Sequence, residues 1–394
     1  MSRIRTFLWL ALSALPLGTS AREGEAAVPD SASFSTLTTT PLGIEGLTGD
    51  RKGNLYTAAR NTPQLNADGV PCPVWKVALS DPSVLQVVGG IPAPCGPAGL
   101  TFDAAGDLFV ANADRIYHLR PDPVLRPIGQ VFASGVPGTN GVAFDGHGEL
   151  WTGDGTTAQG RVWRIARCGL PPCSAELIFR IPPMRNAASL GGLVAGEGVG
   201  RQVRGFPPGT ATNTAGGQDL VANGLAFDPD GNLFLADTAR GAIWKIEIDH
   251  RGRLRSRTGC DDTLDPQTLC FDSLFVSHPL LDGADGIALD RAGNIWVAAN
   301  ERNAVVVVSR DGHVKEVFRN ATDPSTLRRN GGPLEFPTSP FLLEHTFCAA
   351  NSDGDRRDNS PASAGEASPA GPARAKIACL DQRLEISGLP LPVR

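Results

Sequence analysis

The sequence lacks three features: a long apolar run, a basic cluster and any stretch with apolar residues at helical spacing. Crossing a bilayer takes roughly 20 apolar residues, so we expect no membrane-embedded segment. Binding nucleic acid takes a concentrated basic surface, whereas this chain has a net charge of -5 and no Lys/Arg run. The missing helical pattern, together with 46 Gly and 32 Pro, predicts an all-β fold rich in turns.

Signatures of several enzyme classes are absent as well. No G-x-S-x-G occurs, which argues against a nucleophilic serine of the α/β-hydrolase type. Neither H-E-x-x-H nor a P-loop is present. No C-x-x-C occurs, which argues against a zinc site built on cysteine.

The N-terminus has the composition of a secretory leader. Arg3 and Arg5 precede an apolar run from Phe7 to Leu17, and small residues follow up to Ala21. We predict a leader over residues 1–21, with cleavage no later than residue 27, and therefore a secreted or periplasmic protein. Lysine is scarce beside arginine, which hints at a GC-rich bacterial genome.

Eight cysteines agree with export, because an even number in close pairs is typical of disulfides formed in an oxidising compartment. We predict that the pairs join neighbours along the chain: Cys72 with Cys95, Cys168 with Cys173, Cys260 with Cys270, and Cys348 with Cys379.

One short phrase occurs six times along the chain. Each copy has a residue before Gly, an alternating apolar strand, a D-x-x-G turn and a second apolar strand, and the segment from Asn223 to Asp237 is the clearest copy. A third apolar run follows most copies, and we expect a fourth strand after it. Four strands repeated about six times predict a six-bladed β-propeller as a single domain over residues 30–394. The segment from Ser31 to Thr40 is expected to form the outer strand of the last blade.

The residue before the glycine is the most informative position of the repeat. If the first strand of each blade is innermost, closure of the ring brings this position to the mouth of the central channel. The six copies read Glu45, Ala98, Asn140, Asn223, Asp285 and Ser339. Because Thr139 precedes Asn140, the alignment of the third copy is ambiguous by one residue.

Four of these six residues carry carboxylate or carboxamide oxygens, the donors that a hard cation such as calcium prefers. Asn or Asp before Gly is also ordinary turn chemistry, but that interpretation does not account for Glu45. We therefore predict a metal site, with Ca²⁺ as the cofactor and another divalent ion such as Zn²⁺ as the alternative. Its predicted ligands are Glu45, Asn140, Asn223 and Asp285.

Other polar residues are predicted around the channel mouth, because the second strands end on the same face. The candidate substrate-binding residues are Thr139, Arg60, Asn112, Asp237, Asn300 and Ser339. Long insertions at about 185–218 and 351–375 are expected on this face too, either as a roof over the pocket or as surface loops without a role. Within the second insertion, Asp353, Asp355 and Asp358 predict either a peripheral calcium site or a solvated acidic loop.

The chain resembles a known family through four segments in one register. These segments are Ile44-Glu45-Gly46, Gly138-Thr139-Asn140-Gly141, Ala222-Asn223-Gly224-Leu225 and Ala284-Asp285-Gly286. Their order and chemistry are similar to the Glu, Asn, Asn, Asp ligand set of the SMP-30/gluconolactonase/LRE-like proteins. These calcium-dependent six-bladed propellers include regucalcin and diisopropyl fluorophosphatase and, more distantly, paraoxonase and strictosidine synthase.

The resemblance implies hydrolysis of a lactone or related ester, with calcium as the Lewis acid and Asp285 as the residue that activates water. Sugar lactonases of this group place an arginine a few residues before the second ligand, whereas Val136-Pro137-Gly138-Thr139 contains none. Gluconolactone itself is therefore not the expected substrate.

We predict a monomeric, metal-dependent lactonase or esterase whose partner is a small-molecule lactone or ester, with neither nucleic acid nor a membrane as a partner. The alternative is a non-catalytic, calcium-stabilised propeller that binds a peptide or glycan. Phosphotriesterase activity and a strictosidine-synthase-like reaction are more distant alternatives; the latter needs a catalytic glutamate, for which Glu301 is a loose candidate.

Overall fold

The computed structural model describes residues 28–60, 66–183, 220–322, 324, 329, 331–352, 358 and 375–389. The predicted leader and the predicted insertion at 185–218 lie outside the described residues, as does most of the insertion at 351–375. Within the described ranges, no helix has the length and apolar character needed to span a membrane.

The fold is all-β, as the sequence predicts. Its strands are β1 (Phe34–Thr39), β2 (Thr48–Gly49), β3 (Asn54–Ala58), β4 (Cys72–Ala78), β5 (Asp81–Ile91), β6 (Pro97–Phe102), β7 (Leu108–Asn112), β8 (Arg115–Leu119), β9 (Gln130–Ser134), β10 (Thr139–Phe144), β11 (Leu150–Asp154), β12 (Arg161–Ile165), β13 (Cys173–Arg180), β14 (Ala222–Phe227), β15 (Leu233–Asp237), β16 (Ala242–Ile246), β17 (Leu274–Ser277), β18 (Ala284–Leu289), β19 (Ile295–Ala299), β20 (Ala304–Val308), β21 (Val314–Arg319), β22 (Pro337–Leu343), β23 (Thr346–Asn351) and β24 (Lys376–Leu380). Short 3₁₀ helices lie at Phe271–Ser273, Pro279–Leu281 and Asn300–Arg302.

The strands group into four-stranded units that follow one another along the chain. Units 1, 4, 5 and 6 are separate sheets with the strand orders β2-β3-β4-β5, β14-β15-β16-β17, β18-β19-β20-β21 and β22-β23-β24-β1. Units 2 (β6–β9) and 3 (β10–β13) share one eight-stranded sheet through a short parallel pairing of β9 with β13. Strand β1 pairs antiparallel with β24 as the outer strand of unit 6, which confirms the prediction for this segment.

Among the described residues, the first strands of the units contact one another in chain order and close into a ring, from β2 through β6, β10, β14, β18 and β22 back to β2. Glycines allow this approach. A Cβ atom on Gly46 would lie 2.0 Å from the carbonyl oxygen of Ala98, and one on Gly141 would lie 2.2 Å from that of Asn223. The same close contact to the next unit recurs at Gly99, Gly224 and Gly286.

The D-x-x-G turn joins the first two strands of a unit, at the end of this hairpin that lies away from the glycine contacts. The Asp228 carboxylate accepts the backbone N–H of Asn232 at 2.8 Å, and Gly231 takes a φ of +85° that suits glycine. The same carboxylate-to-backbone bond recurs at Asp50, Asp103, Asp145 and Asp290. This turn therefore explains why the phrase keeps its aspartate and its glycine.

Apolar packing between units and disulfide bonds stabilise the fold. The indole of Trp151 in unit 3 is fully buried and lies 5.7 Å from the ring of Phe227 in unit 4, in a cluster of apolar side chains between the two units. All four predicted disulfides are formed, namely Cys72–Cys95, Cys168–Cys173, Cys260–Cys270 and Cys348–Cys379.

Replacing Gly46 with alanine should destabilise the fold, because the added Cβ would overlap the carbonyl oxygen of Ala98. We expect Gly46→Ala to lower the free energy of unfolding by about 2 kcal/mol or more, as overpacking does. The matched control is Gly146→Ala, because a Cβ there meets no atom within 4 Å. Urea denaturation measures both variants, and equal losses of stability would contradict the assigned contact.

Candidate metal centre

We call the glycines that make the close contacts between units the ring glycines: Gly46, Gly99, Gly141, Gly224 and Gly286. The residue before each of them lies at one level of the central channel. Each glycine touches the carbonyl of the corresponding residue in the next unit, and the hydroxyl of Thr338 closes the circle by donating to the carbonyl oxygen of Glu45 at 2.7 Å. We call these residues the ring positions: Glu45, Ala98, Asn140, Asn223, Asp285 and Thr338.

One ring position differs from the sequence prediction. The strand pairing makes Pro337 in β22 the counterpart of Thr139 in β10. Thr338 is therefore the counterpart of Asn140, and Ser339 stands in the place of the glycine. The prediction of Ser339 at this position is one residue too late in the sequence, because the last copy has no glycine to mark the register. Ser339 instead lines the channel wall.

The same pairing resolves the ambiguity in the third copy in favour of Asn140. The hydroxyl of Thr139 lies 2.5 Å from that of Thr152 on the neighbouring strand, and both side chains are buried. Thr139 is therefore a sheet residue next to the ring.

All four predicted ligands occupy ring positions and are almost buried. Their exposed fractions are 6% for Glu45, 8% for Asn140, 5% for Asn223 and 5% for Asp285. In five of the units the strand pairing shifts register across the ring residue, a local irregularity of the kind that re-aims side chains. The fold thus places four oxygen-bearing side chains at one end of the central channel.

A second layer of residues adjoins the ring in units 1, 4 and 5, where the chain leaves the second strand. The Asn300 amide donates to Asp285 Oδ2 at 2.7 Å, and the Asn223 amide donates to Thr238 Oγ1 at 3.1 Å; both pairs are 15 residues apart. Arg60 forms an ion pair with Glu45 at the same spacing. Of the three partners, Thr238 was missed by the sequence analysis, although the constant spacing would have identified it.

Two of the predicted substrate-binding residues, Asn112 and Asp237, make hydrogen bonds within the fold. Asn112 accepts the backbone N–H of Gly96 at 2.7 Å and donates to the carbonyl of Pro94 at 3.2 Å. Asp237 is fully buried, lies 2.5 Å from Arg240 Nη1 and accepts the indole N–H of Trp244 at 3.1 Å. Both side chains form hydrogen bonds with groups in neighbouring loops and strands.

The proposed acidic loop is only partly described. Asp353 and Asp355 lie outside the described residues, but Asp358 is fully buried and pairs with Arg319 Nη2 at 2.6 Å. Burial lowers the pKa of the Arg319 guanidinium from its ordinary value, and the carboxylate of Asp358 opposes that effect. Asp358 is therefore not exposed to solvent, and its side chain pairs with unit 5.

Directly below the ring the channel becomes apolar. A cavity of about 110 Å³ is lined by side chains that follow the ring glycines or stand at the same level, among them Leu47, Leu100, Val142, Leu225, Ile287 and Pro340. Leu389, near the C-terminus, lines the cavity as well. The polar ring therefore borders a wall that offers few donors or acceptors.

The donor set of the ring fits a hard divalent cation. It combines two carboxylates with two carboxamides, and it contains no sulfur or imidazole. Within the described ranges, the ring included, no group of three or more His, Cys, Asp or Glu residues could hold a metal ion. The carboxamides of Asn140 and Asn223 are thus an essential part of this candidate centre.

Comparison with known proteins agrees with this architecture. Residues 194–332 match the model of the family described as the SMP-30/Gluconolactonase/LRE-like region. The resemblance to this family is confirmed over that segment. The segment contains the candidate ligands Asn223 and Asp285, whereas Glu45 and Asn140 precede it. No curated protein sequence matches the chain.

Solved structures show the same kind of fold. The calcium-binding protein regucalcin from Agrobacterium tumefaciens is 16% identical and aligns over 91% of this chain and 98% of its own, with a TM-score of 0.54. Luciferin-regenerating enzyme is 14% identical over 91% and 97%, with a TM-score of 0.53. The PQQ-bound aldose sugar dehydrogenase from Streptomyces coelicolor is 13% identical over 90% and 100%, also with a TM-score of 0.53. At such identities the likeness establishes a propeller-like fold alone.

Removing the charge of Asp237 should lower stability, because Asp237→Asn leaves the nearly buried Arg240 without its carboxylate. We expect the free energy of unfolding to fall by about 3 kcal/mol, as for other broken buried ion pairs. Asp249→Asn is the matched control, since its partner Arg253 is exposed and surface pairs contribute little. A variant of Asp237 with unchanged stability but a raised KM would instead identify a substrate contact.

Proposed function

We propose that this chain is a secreted, calcium-dependent hydrolase of the SMP-30/gluconolactonase type, which acts on a lactone or related ester at the ring end of the central channel. The observation that carries the proposal is the placement of Glu45, Asn140, Asn223 and Asp285 at ring positions. The family match and the description of regucalcin as a calcium-binding protein support a divalent metal. The four-stranded units correspond to the six blades of a propeller, and the four disulfides support an oxidising compartment.

These four residues would hold the cation through two carboxylate and two carboxamide groups. When bound, a divalent cation polarises the substrate carbonyl and stabilises the negative charge that develops during attack. Because the four side chains come from four different units, the rigid sheets set their relative positions before any ligand arrives.

Asp285 is the residue proposed to orient the attacking water. Asn300 donates to one of its carboxylate oxygens at 2.7 Å and so fixes the plane of the carboxylate. Because a bound cation favours the charged carboxylate, the direction of Asp285 toward water matters more than its basicity. The water oxygen bonds to the carbonyl carbon, and the C–O bond of the lactone breaks. The proton lost by water ends on the released hydroxyl. The product is a hydroxy acid.

The surroundings of the ring favour a substrate other than a sugar lactone. Gly138, just before the second ligand, has a φ of +78°, and a Cβ there would lie 2.5 Å from Asp154 Oδ1. This position therefore leaves no room for a long side chain toward sugar hydroxyls. Arg60 and Asn300 remain candidate substrate contacts, because both reach ring residues.

Truncating two ligands tests the proposal. The single variants Asn223→Ala and Asp285→Ala should each weaken Ca²⁺ binding by at least about tenfold, and the double variant should lose both binding and turnover. Isothermal titration calorimetry measures the metal, and a panel of lactones and aryl esters with and without chelator measures hydrolysis. Asp230→Ala, in the exposed D-x-x-G turn of the same unit, is the matched control.

Two outcomes would contradict the proposal in different ways. Full turnover by the chelated protein or by the double variant would exclude a metal-dependent reaction at the ring. Tight Ca²⁺ binding without hydrolysis of any lactone, aryl ester or phosphotriester would instead favour the non-catalytic propeller. In that case Ca²⁺ would still raise the melting temperature, since it binds the native state.

A further inference from the structure

We infer that the second layer controls metal binding at the ring: Thr238 and Asn300 orient two ligands, whereas Arg60 competes with the metal for a third. This inference rests on the proposed function, because it presupposes a cation at the ring. It assigns positioning roles to residues that would not themselves bind the metal.

The strand register places the second layer in the same way in three units. In unit 4, Ala222 pairs with Asp237, so that the next residues, Asn223 and Thr238, come together at the end of the hairpin. In unit 5, Ala284 pairs with Ala299, which brings Asp285 and Asn300 together. In unit 1, an isolated bridge between Ile44 and Ala59 does the same for Glu45 and Arg60.

Thr238 determines which end of the Asn223 amide faces the ring. The hydroxyl of Thr238 accepts from Asn223 Nδ2 at 3.1 Å, and Thr238 is fully buried. A carboxamide is planar, with its oxygen and nitrogen on opposite sides, so holding the nitrogen behind the ring presents the oxygen to a cation. Valine has the same shape as threonine but cannot accept this bond, and the buried amide nitrogen would then be free to turn inward.

Asn300 acts on Asp285 in a comparable way. Its amide nitrogen holds Oδ2 at 2.7 Å, and the side chain of Asn300 is fully buried. A ligand held by a fixed neighbour loses less conformational entropy when the metal binds, which is the usual advantage of an outer coordination sphere.

Arg60 has the opposite effect on affinity. Its guanidinium forms an ion pair with the Glu45 carboxylate, so part of the negative charge of the ring is already neutralised. A divalent cation must share or displace this partner and is repelled by it. Removing Arg60 should therefore strengthen metal binding, a change that mere damage to the fold does not produce.

The test compares four variants of the full-length protein by calorimetric titration with Ca²⁺. Thr238→Val should weaken binding by about 10- to 100-fold, the range for lost outer-sphere partners, whereas Thr238→Ser should retain nearly native affinity because it keeps the hydroxyl. Arg60→Met should bind about tenfold more tightly or better. Thr57→Val is the matched control, since its buried hydroxyl bonds the backbone carbonyl of Gly46, at 2.7 Å. Melting temperatures of the metal-free variants verify folding.

The results separate the inference from the proposed function. Equal affinities of Thr238→Val and the native protein, or weaker binding by Arg60→Met, would overturn the inference alone. Weakened binding by Thr238→Val that Thr238→Ser does not restore would also overturn it, because the hydroxyl would then be irrelevant. A native protein that binds no Ca²⁺ would overturn the proposed function and the inference together.

Discussion

The contact between a glycine of one inner strand and a backbone carbonyl of the next is the constraint on which the rest of the structure depends. At this contact the separation of two units is set by main-chain atoms rather than by side-chain size. Gly46 and Gly141 leave no room for even one additional carbon atom. Because the contact recurs around the channel, the residues that precede the glycines are held at one level. A ring of donors therefore arises from the packing of sheets rather than from a flexible loop.

The hairpins formed by the first two strands of the units have different structural roles at their two ends. At one end the turn aspartate satisfies backbone N–H groups and the turn glycine accepts a left-handed conformation, so the hairpin closes in a defined register. At the other end the pairing becomes irregular in five units, and in units 1, 4 and 5 the ring residue meets a partner from the second layer. Stable closure at one end thus permits departure from regular pairing at the other. This division is typical of sites that are built on a rigid scaffold.

Charge and polarity are distributed unevenly along the channel. The carboxylates of Glu45 and Asp285 lie at one level, with Arg60 paired to the first of them, and apolar side chains line the space below. An ion or a polarised carbonyl therefore finds complementary charge at the ring and little below it. This arrangement explains why the ring, rather than the deeper cavity, is the chemical centre of the proposed hydrolase. The second layer adds a polar partner to three of the four candidate ligands, namely Asn223, Asp285 and Glu45.

The sequence by itself determined the strand pattern, the disulfide pairs, the outer strand formed by β1 and the four candidate ligands. These features have local signals, namely alternating apolar residues, turn glycines and short cysteine spacings. Such signals can be recognised in the sequence without knowledge of the tertiary structure. Only the tertiary structure decided that Thr338 rather than Ser339 completes the ring, because the last repeat has no glycine to mark its register. It also decided that Asp237 bonds Arg240 and Trp244, while Thr238 bonds the ring residue Asn223. Adjacent residues of a strand point to opposite faces, so this choice depends on which neighbours each face meets after the units have packed together.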